Sequence, residues 1–179
     1  MSADDVIGLV FDLPDERWTA EIRRLRAAYD RDRSGLPVEI TVAGSSGLGW
    51  FSPNQTPDVI AGKVRDLTQN LAPFQCFFSK VETFPESQVY YLALENEEPF
   101  QIFQQVLAAS PLKFESTPFP YKPHCTIVAL PNAASSTAHT EIAAFPVPRH
   151  GVTIYSAALY SVNNSRNACR LLERFPLGA

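Results

Sequence analysis

The chain alternates between two patterns of apolar residues, one with the period of a strand and one with the period of a helix. Residues 6–11 form an apolar, β-branched run that predicts a buried strand, and residues 38–43 alternate as a second strand. Further strands are predicted over 75–84, 88–94, 122–130, 152–162 and 169–175. Apolar residues recur at helical spacing around 14–29, 56–71 and 99–109, and a short helix is predicted at 133–144.

Prolines and small polar residues indicate where these elements begin and end. The first long helix is expected to open just after Asp12, with Pro14 in its first turn, where the missing N–H costs nothing. Thr56 is the expected N-cap of the next helix, and Pro57 its first residue. A polar turn at 163–167 is expected to join the last two strands.

The order of these elements predicts the fold class. Helices alternate with strands, but several strands follow one another directly, which favours an α+β fold with largely antiparallel sheet over a doubly wound parallel one. No low-complexity linker divides the chain, so residues 1–179 are expected to form a single domain.

Composition excludes several classes of protein. The hydrophobic fraction of 45% and the charged fraction of 19% argue against disorder, and a net charge of -4 argues against a large basic nucleic-acid surface. No apolar run near the start is long enough to span a membrane. Three scattered cysteines predict neither a disulfide framework nor a metal site. We therefore expect a cytoplasmic, monomeric protein without a metal or other cofactor.

Two of the predicted strands echo each other. Aligned on their threonines, residues 37–43 and 123–129 place Glu39 opposite His124 and Thr41 opposite Thr126. Since side chains alternate between the faces of a strand, each strand presents one ionisable group and one hydroxyl on the same face, roughly 6.5–7 Å apart. Two such pairs that face each other are suited to phosphoryl chemistry, because hydroxyls bind phosphate oxygens while the ionisable groups move protons.

These two segments resemble the paired H-x-[ST]-hydrophobic motifs of the 2H phosphoesterase superfamily, which includes the 2′-5′ RNA ligase (LigT-like) proteins and the cyclic phosphodiesterases. The resemblance extends over nearly the whole chain. His124-Cys125-Thr126-Ile127 fits the second motif fully. Glu39-Ile40-Thr41-Val42 fits the first except at the catalytic position, where Glu replaces His.

The resemblance implies a bilobal α+β fold with pseudo-two-fold symmetry. In that fold two largely antiparallel sheets flank a central groove lined by both motifs, and helices cover the outer faces. It also implies metal-independent opening of a 2′,3′-cyclic phosphate or a related cyclic phosphodiester. His124 and the residue in the place of Glu39 would then be the acid and base, with Thr41 and Thr126 holding the phosphate.

Glu39 changes what this pair can do. An unperturbed Glu titrates near pH 4.3, and its charge opposes a phosphate by on the order of 1 to 3 kcal/mol at about 5 Å. Either Glu39 is protonated or offset by a cation such as Lys122, or the site processes the usual substrate poorly. A Glu base with a protonated His acid predicts an acid-shifted bell of activity against pH.

Other side chains are weaker candidates. Tyr121, Lys122 and Tyr155 are candidates for lining the groove. The rings of Tyr121, Tyr155 and Tyr160 could stack on a base there, although packing in the core or at an interface is the favoured role of these tyrosines. Cys125 is expected to face away from His124 and pack as a small hydrophobe. The glycine- and serine-rich loop at 44–49 is expected to form a flexible rim.

Three functions remain open on the sequence alone. The first is a phosphoesterase acting on a cyclic phosphodiester of a nucleotide or RNA end. The second is a nucleotide or RNA-end binding protein that has kept the groove without turnover, and the third is altered chemistry on another substrate. Hydrolysis of a cyclic nucleotide, or binding of its product without hydrolysis, separates the first from the second.

Overall fold

The computed structural model describes residues 5–163 and 168–178. Within these ranges the strands are β1 (Asp5–Asp12), β2 (Glu39–Ala43), β3 (Phe74–Cys76), β4 (Phe78–Thr83), β5 (Val89–Leu94), β6 (His124–Ala129), β7 (Val152–Ile154), β8 (Ser156–Asn163) and β9 (Ala168–Pro176). The α-helices are α1 (Arg17–Tyr29), α2 (Pro57–Thr68), α3 (Glu98–Ala108) and α4 (Ser136–Ala143), and a short 3₁₀ turn (Arg31–Arg33) follows α1.

The strands form three antiparallel sheets. A four-stranded sheet has the order β2-β1-β8-β9, a three-stranded sheet has the order β4-β5-β6, and β3 pairs with β7. The predicted α+β class with antiparallel sheets is therefore confirmed. The turn predicted at 163–167 lies largely outside the described residues.

The two-stranded sheet was not predicted, because two long strands each break in the middle. The strand predicted at 75–84 is interrupted at Phe77, and the one predicted at 152–162 is interrupted at Tyr155. Both residues leave the ladder with exposed side chains, 41% and 65% exposed. The first half of each strand enters the small sheet, while the second half enters one of the larger sheets. The small sheet therefore joins the two larger ones through continuous backbone.

The two helix starts predicted from proline differ in outcome. Thr56 caps α2, accepting a hydrogen bond from the Val59 N–H at 3.4 Å, and Pro57 is the first helical residue, as expected. The other prediction is wrong, because α1 begins only at Arg17 and Pro14 precedes it. The Thr19 hydroxyl there accepts a hydrogen bond from the N–H of the N-cap residue Glu16 at 2.9 Å, which satisfies a backbone donor at the start of the helix.

One continuous core of buried apolar side chains lies between the sheets and helices, and it draws on residues from Ile7 to Leu177. Phe11, Phe74 and Phe100 meet there edge to face, with centroids 5.2–5.6 Å apart. Cys125 is fully buried, which confirms that it packs as a small hydrophobe facing away from the cavity side of its strand. Among the described residues, no helix is both long enough and apolar enough to cross a bilayer.

A single buried arginine of α1 ties β6 to the segment that leads into β2. Arg26 is only 2% exposed. Its Nε donates to the Ile127 carbonyl at 3.0 Å, and its Nη2 donates to the Thr126 carbonyl at 2.5 Å. Its Nη1 donates to the Pro37 carbonyl at 2.8 Å. The carbonyls on the edge of β6 are thus satisfied by a side chain instead of a neighbouring strand.

We expect Arg26→Met to destabilise the fold by about 3 kcal/mol, because it leaves several buried carbonyls without a donor. Urea denaturation monitored by circular dichroism measures this. The matched control is Arg24→Met on the same helix, where the lost partners Glu21 and Glu141 lie at the surface. An equal loss of stability in both variants would contradict the role of Arg26.

Candidate active site

The two echoing strands are edge strands that contact each other, β2 in the four-stranded sheet and β6 in the three-stranded sheet. Alternation turns Glu39 and Thr41 to one side of β2, and His124 and Thr126 to one side of β6. The alternate positions, Ile40, Val42, Cys125 and Ile127, are fully buried in the core. The apolar half of each motif therefore fixes the direction of its polar half.

All four polar side chains line one cavity of about 460 Å³. The sequence predicts that Glu39 and His124, which are far apart along the chain, lie at one site, and the structure places both in the wall of this cavity. The loop after β2 contributes Ser45 and Ser46 to the walls, and Arg33 lies at another part of the rim. The cavity has the size of a small-molecule site lined by hydroxyls and ionisable groups.

His124 is held in one tautomer. Its Nδ1 lies 2.6 Å from the Lys122 carbonyl, and since a carbonyl only accepts, Nδ1 carries the hydrogen. In the neutral ring the lone pair is then on Nε2, which lies 3.1 Å from the Thr126 hydroxyl. The rings of Phe84 and Tyr91 contact the imidazole edge to face, with centroids 4.9 and 5.1 Å away. Nε2 is therefore the ring atom of the neutral imidazole that is able to accept a proton.

Burial favours the neutral form of His124. Loss of hydration lowers its pKa below the ordinary value, and the hydrogen bond to the Lys122 carbonyl only partly offsets this effect. The imidazole is accordingly neutral at pH 7, with the Nε2 lone pair available.

Glu39 experiences the opposite shift for the same reason. Loss of hydration raises its pKa to about 7, and the nearby Asp12 adds to the rise. The charge of Arg26 and the hydrogen bond from Thr41 lower the pKa, but less than burial raises it. The Thr41 hydroxyl lies 3.1 and 3.2 Å from the two carboxyl oxygens.

Each half of the cavity has the same local arrangement, a threonine hydroxyl bonded to the ionisable group two residues earlier on its strand. A hydroxyl can rotate to donate to a phosphate oxygen while the ionisable group stays beside it. The site can therefore hold an anion between two hydroxyls and exchange one proton on each side of it.

Three further candidates lie outside the walls of this cavity. Lys122 pairs with Glu97 at 3.3 Å, so the cation that lowers the pKa of Glu39 is Arg26 instead of the expected Lys122. Tyr121 contacts β2, where its hydroxyl donates to the Thr41 carbonyl at 3.2 Å. Tyr155 lines a separate depression, because its strand breaks there. Base contacts by these side chains stay predictions.

Sequence reasoning missed Trp50 and gave little weight to Tyr160, and both line the cavity. Gly8 was a sequence signal for a bulky neighbour such as Trp50, because a glycine inside a strand often marks a place where another group approaches the backbone closely. A Cβ at Gly8 would lie 2.8 Å from the Trp50 ring. The loop after β2 packs directly against Tyr121, since a Cβ at Gly47 would lie 2.7 Å from the Tyr121 ring.

No group of three or more His, Cys, Asp or Glu residues within the described ranges is arranged to hold a metal ion.

Comparison with known families agrees with this geometry. The family model of the 2′-5′ RNA ligase superfamily matches residues 13–166, a segment that contains both motifs. The chain belongs to this superfamily. No curated protein sequence matches it.

Solved structures show the same superfamily fold. The Escherichia coli LigT structure complexed with 3′-AMP is 22% identical, with a TM-score of 0.56, and the alignment covers 98% of this chain and 99% of LigT. The protein TT0787 of Thermus thermophilus is 18% identical, with a TM-score of 0.59 and coverage of 96% and 97%. At these identities the likeness establishes the fold.

The raised pKa of Glu39 predicts a pH-dependent loss of stability. The Glu39 carboxyl ionises near pH 4.5 in the unfolded chain and only near pH 7 in the folded chain. The free energy of unfolding therefore falls as pH rises between these values. Glu39→Gln removes this loss, and its stability relative to wild type should rise by on the order of 3 kcal/mol from pH 4 to pH 8. Urea denaturation at several pH values measures the difference.

Glu141→Gln is the control with the opposite sign. Hydrogen bonds from Tyr29 and Arg24 hold the pKa of Glu141 below its ordinary value. Its charged form therefore stabilises the fold above the pKa of the unfolded chain, and the variant should lose stability relative to wild type as pH rises. Parallel pH dependence in the two variants would contradict the assigned environments.

Proposed function

We propose that this protein is a phosphoesterase that hydrolyses a cyclic phosphodiester, such as the 2′,3′-cyclic phosphate of a nucleotide or RNA end. The observation that carries the proposal is the convergence of Glu39 and His124, each with its threonine, on one cavity. Acid–base groups of the chain itself supply the proton transfers in this mechanism.

The ligands of a relative support this class of substrate. Solved structures of Escherichia coli LigT are complexes with 3′-AMP and with phosphate. Both ligands contain a phosphate, and 3′-AMP also contains a ribose and a base. The cavity described above offers hydroxyls to a phosphate and the Trp50 and Tyr160 rings to a base or sugar.

The two pKa shifts support one assignment of acid and base. A pair that holds one proton keeps it on the group with the higher pKa, and this group is Glu39. The dominant form near neutral pH is thus a neutral carboxylic acid opposite a neutral imidazole. His124 is then the general base and Glu39 the general acid, which reverses the assignment expected from unperturbed pKa values.

The reaction balances with these two groups. His124 Nε2 takes a proton from water as the water oxygen bonds to phosphorus. The bond between phosphorus and one ribose oxygen breaks, and that oxygen receives the Glu39 proton. The products are a phosphomonoester, an imidazolium and a carboxylate, and transfer of one proton through solvent restores the starting pair.

A protonated Glu39 also removes the electrostatic difficulty of this site. An anionic carboxylate about 5 Å from the phosphate would weaken binding by on the order of 1 to 3 kcal/mol. The neutral acid avoids that repulsion. Turnover therefore falls as pH rises through the pKa of Glu39 near 7, and it falls at low pH when His124 becomes protonated.

A leaving-group comparison tests the roles. We expect Glu39→Gln to lower kcat for a 2′,3′-cyclic nucleotide by roughly 10²- to 10⁴-fold, the usual contribution of a general acid. The same variant should lose far less with catechol cyclic phosphate, because a phenolate leaves more readily without a proton. Steady-state rates with both substrates, together with circular dichroism of the variant, measure this.

His124→Ala is the companion variant and should lose activity on both substrates, since both need an activated water. If Glu39→Gln lowers kcat equally for the two substrates, Glu39 is the general base instead of the general acid. If wild type binds a nucleoside 2′-phosphate and hydrolyses neither substrate, the phosphoesterase proposal fails and the binding function without turnover replaces it.

Substituting the family residue tests whether Glu39 occupies the acid–base position of the first motif. We expect Glu39→His to retain or raise hydrolysis of a 2′,3′-cyclic nucleotide, because a histidine there can also donate a proton to the leaving oxygen. A correctly folded but inactive Glu39→His variant, beside an active wild type, would contradict this interpretation.

A further inference from the structure

A polar row crosses the four-stranded sheet beside the candidate acid. Asp12 at the end of β1 is the register partner of Glu39 at the start of β2. Directly opposed residues of an antiparallel pair have Cβ atoms about 4.5–5.5 Å apart, so two carboxyl groups stand side by side here. Two negative charges in this position would destabilise the sheet, so Glu39 holds its proton more tightly or Asp12 needs a cationic partner.

Arg174 of β9 supplies that partner. Its Nε donates to Asp12 Oδ2 at 2.5 Å, while the Asp12 side chain is only 16% exposed. The Tyr160 and Ser156 hydroxyls of β8 lie 3.5 Å from the Asp12 oxygens. The row therefore runs through all four strands and ends at the cavity.

We propose that Asp12 and Arg174 are positioning residues that set how tightly the Glu39 carboxyl holds its proton. Asp12 raises the affinity for the proton through its negative charge, and Arg174 limits the effect by neutralising Asp12. The catalytic consequence rests on the proposed function, but the effect on Glu39 does not.

The other groups around Glu39 are accounted for separately. Arg26 approaches from α1, Thr41 lies on the same strand, and the Tyr121 hydroxyl bonds to that strand. His124, Asp32, Arg33 and Tyr160 line the same cavity. The two neighbouring thiols are Cys125 of β6 and Cys169 of β9. Of these groups, Tyr160 is a hydrogen-bond partner of Asp12. The described hydrogen bonds of Asp12 and Arg174 involve none of the others.

Direct titration of Glu39 tests the proposal independently of turnover. Its side-chain carboxyl resonance in ¹³C NMR is assigned as the signal that Glu39→Gln removes. We expect Asp12→Asn to lower the pKa of Glu39, and Arg174→Gln to raise it. Each shift should be roughly 0.7 to 2 pH units, as for a unit charge about 5 Å away.

The double variant Asp12→Asn/Arg174→Gln should titrate near wild type, because it removes both charges. Arg170→Gln is the matched charge control, since Arg170 lies on the same strand but lines a different depression with Leu159. It should leave the Glu39 titration unchanged. Arg174→Lys, which keeps the charge, should stay close to wild type.

Opposite shifts from the two single variants cannot arise from general loosening of the sheet, which would move both in one direction. Shifts of the same sign, or no shift in either variant, would overturn the proposal. If these shifts fail while wild type hydrolyses a cyclic phosphodiester, only this inference falls. If the shifts are observed and hydrolysis is absent, only the proposed function falls.

Discussion

The site depends on one guanidinium buried between two parts of the chain. Arg26 presents planar donors to the carbonyls of Thr126 and Ile127 on β6 and to the Pro37 carbonyl before β2. Removing these carbonyls from water without a donor would cost about 3 kcal/mol, a large share of the stability of a domain of this size. Because one rigid group satisfies both segments, it fixes the spacing between the two motifs. Its charge also acts on Glu39 and keeps burial from raising the pKa of that carboxyl further.

Burial acts on the two ionisable residues in opposite directions and brings both toward neutrality. In a pair of histidines that share one proton, the pair carries one positive charge. A glutamic acid and a histidine that share one proton carry none. The replacement in the first motif thus preserves the number of exchangeable protons and removes a charge that would attract an anion. In the proposed mechanism, more of the anion binding then falls to the hydroxyls and to Arg33 on the rim.

The strand period and the paired motifs were enough to predict the fold class and to place the four polar side chains on facing strands. Arg26 escaped prediction, since an arginine beside an apolar helical stripe looks like a surface residue until a partner strand is known. The breaks at Phe77 and Tyr155 also escaped, because both residues continue the strand-forming pattern of their segments. Lys122 was expected near Glu39, but it pairs with Glu97, the N-cap residue of α3. Such contacts between distant segments follow from packing and leave no local pattern.

The two-stranded sheet has a mechanical consequence for the cavity. Phe74 pairs with Ile154 and Cys76 with Val152, and the chain passes from this ladder into the three-stranded sheet on one side and the four-stranded sheet on the other. A hinge motion that swung the two larger sheets together would have to shear these backbone hydrogen bonds. The ladder therefore opposes a change in the distance between the two larger sheets, and with it a change in the width of the cavity between β2 and β6.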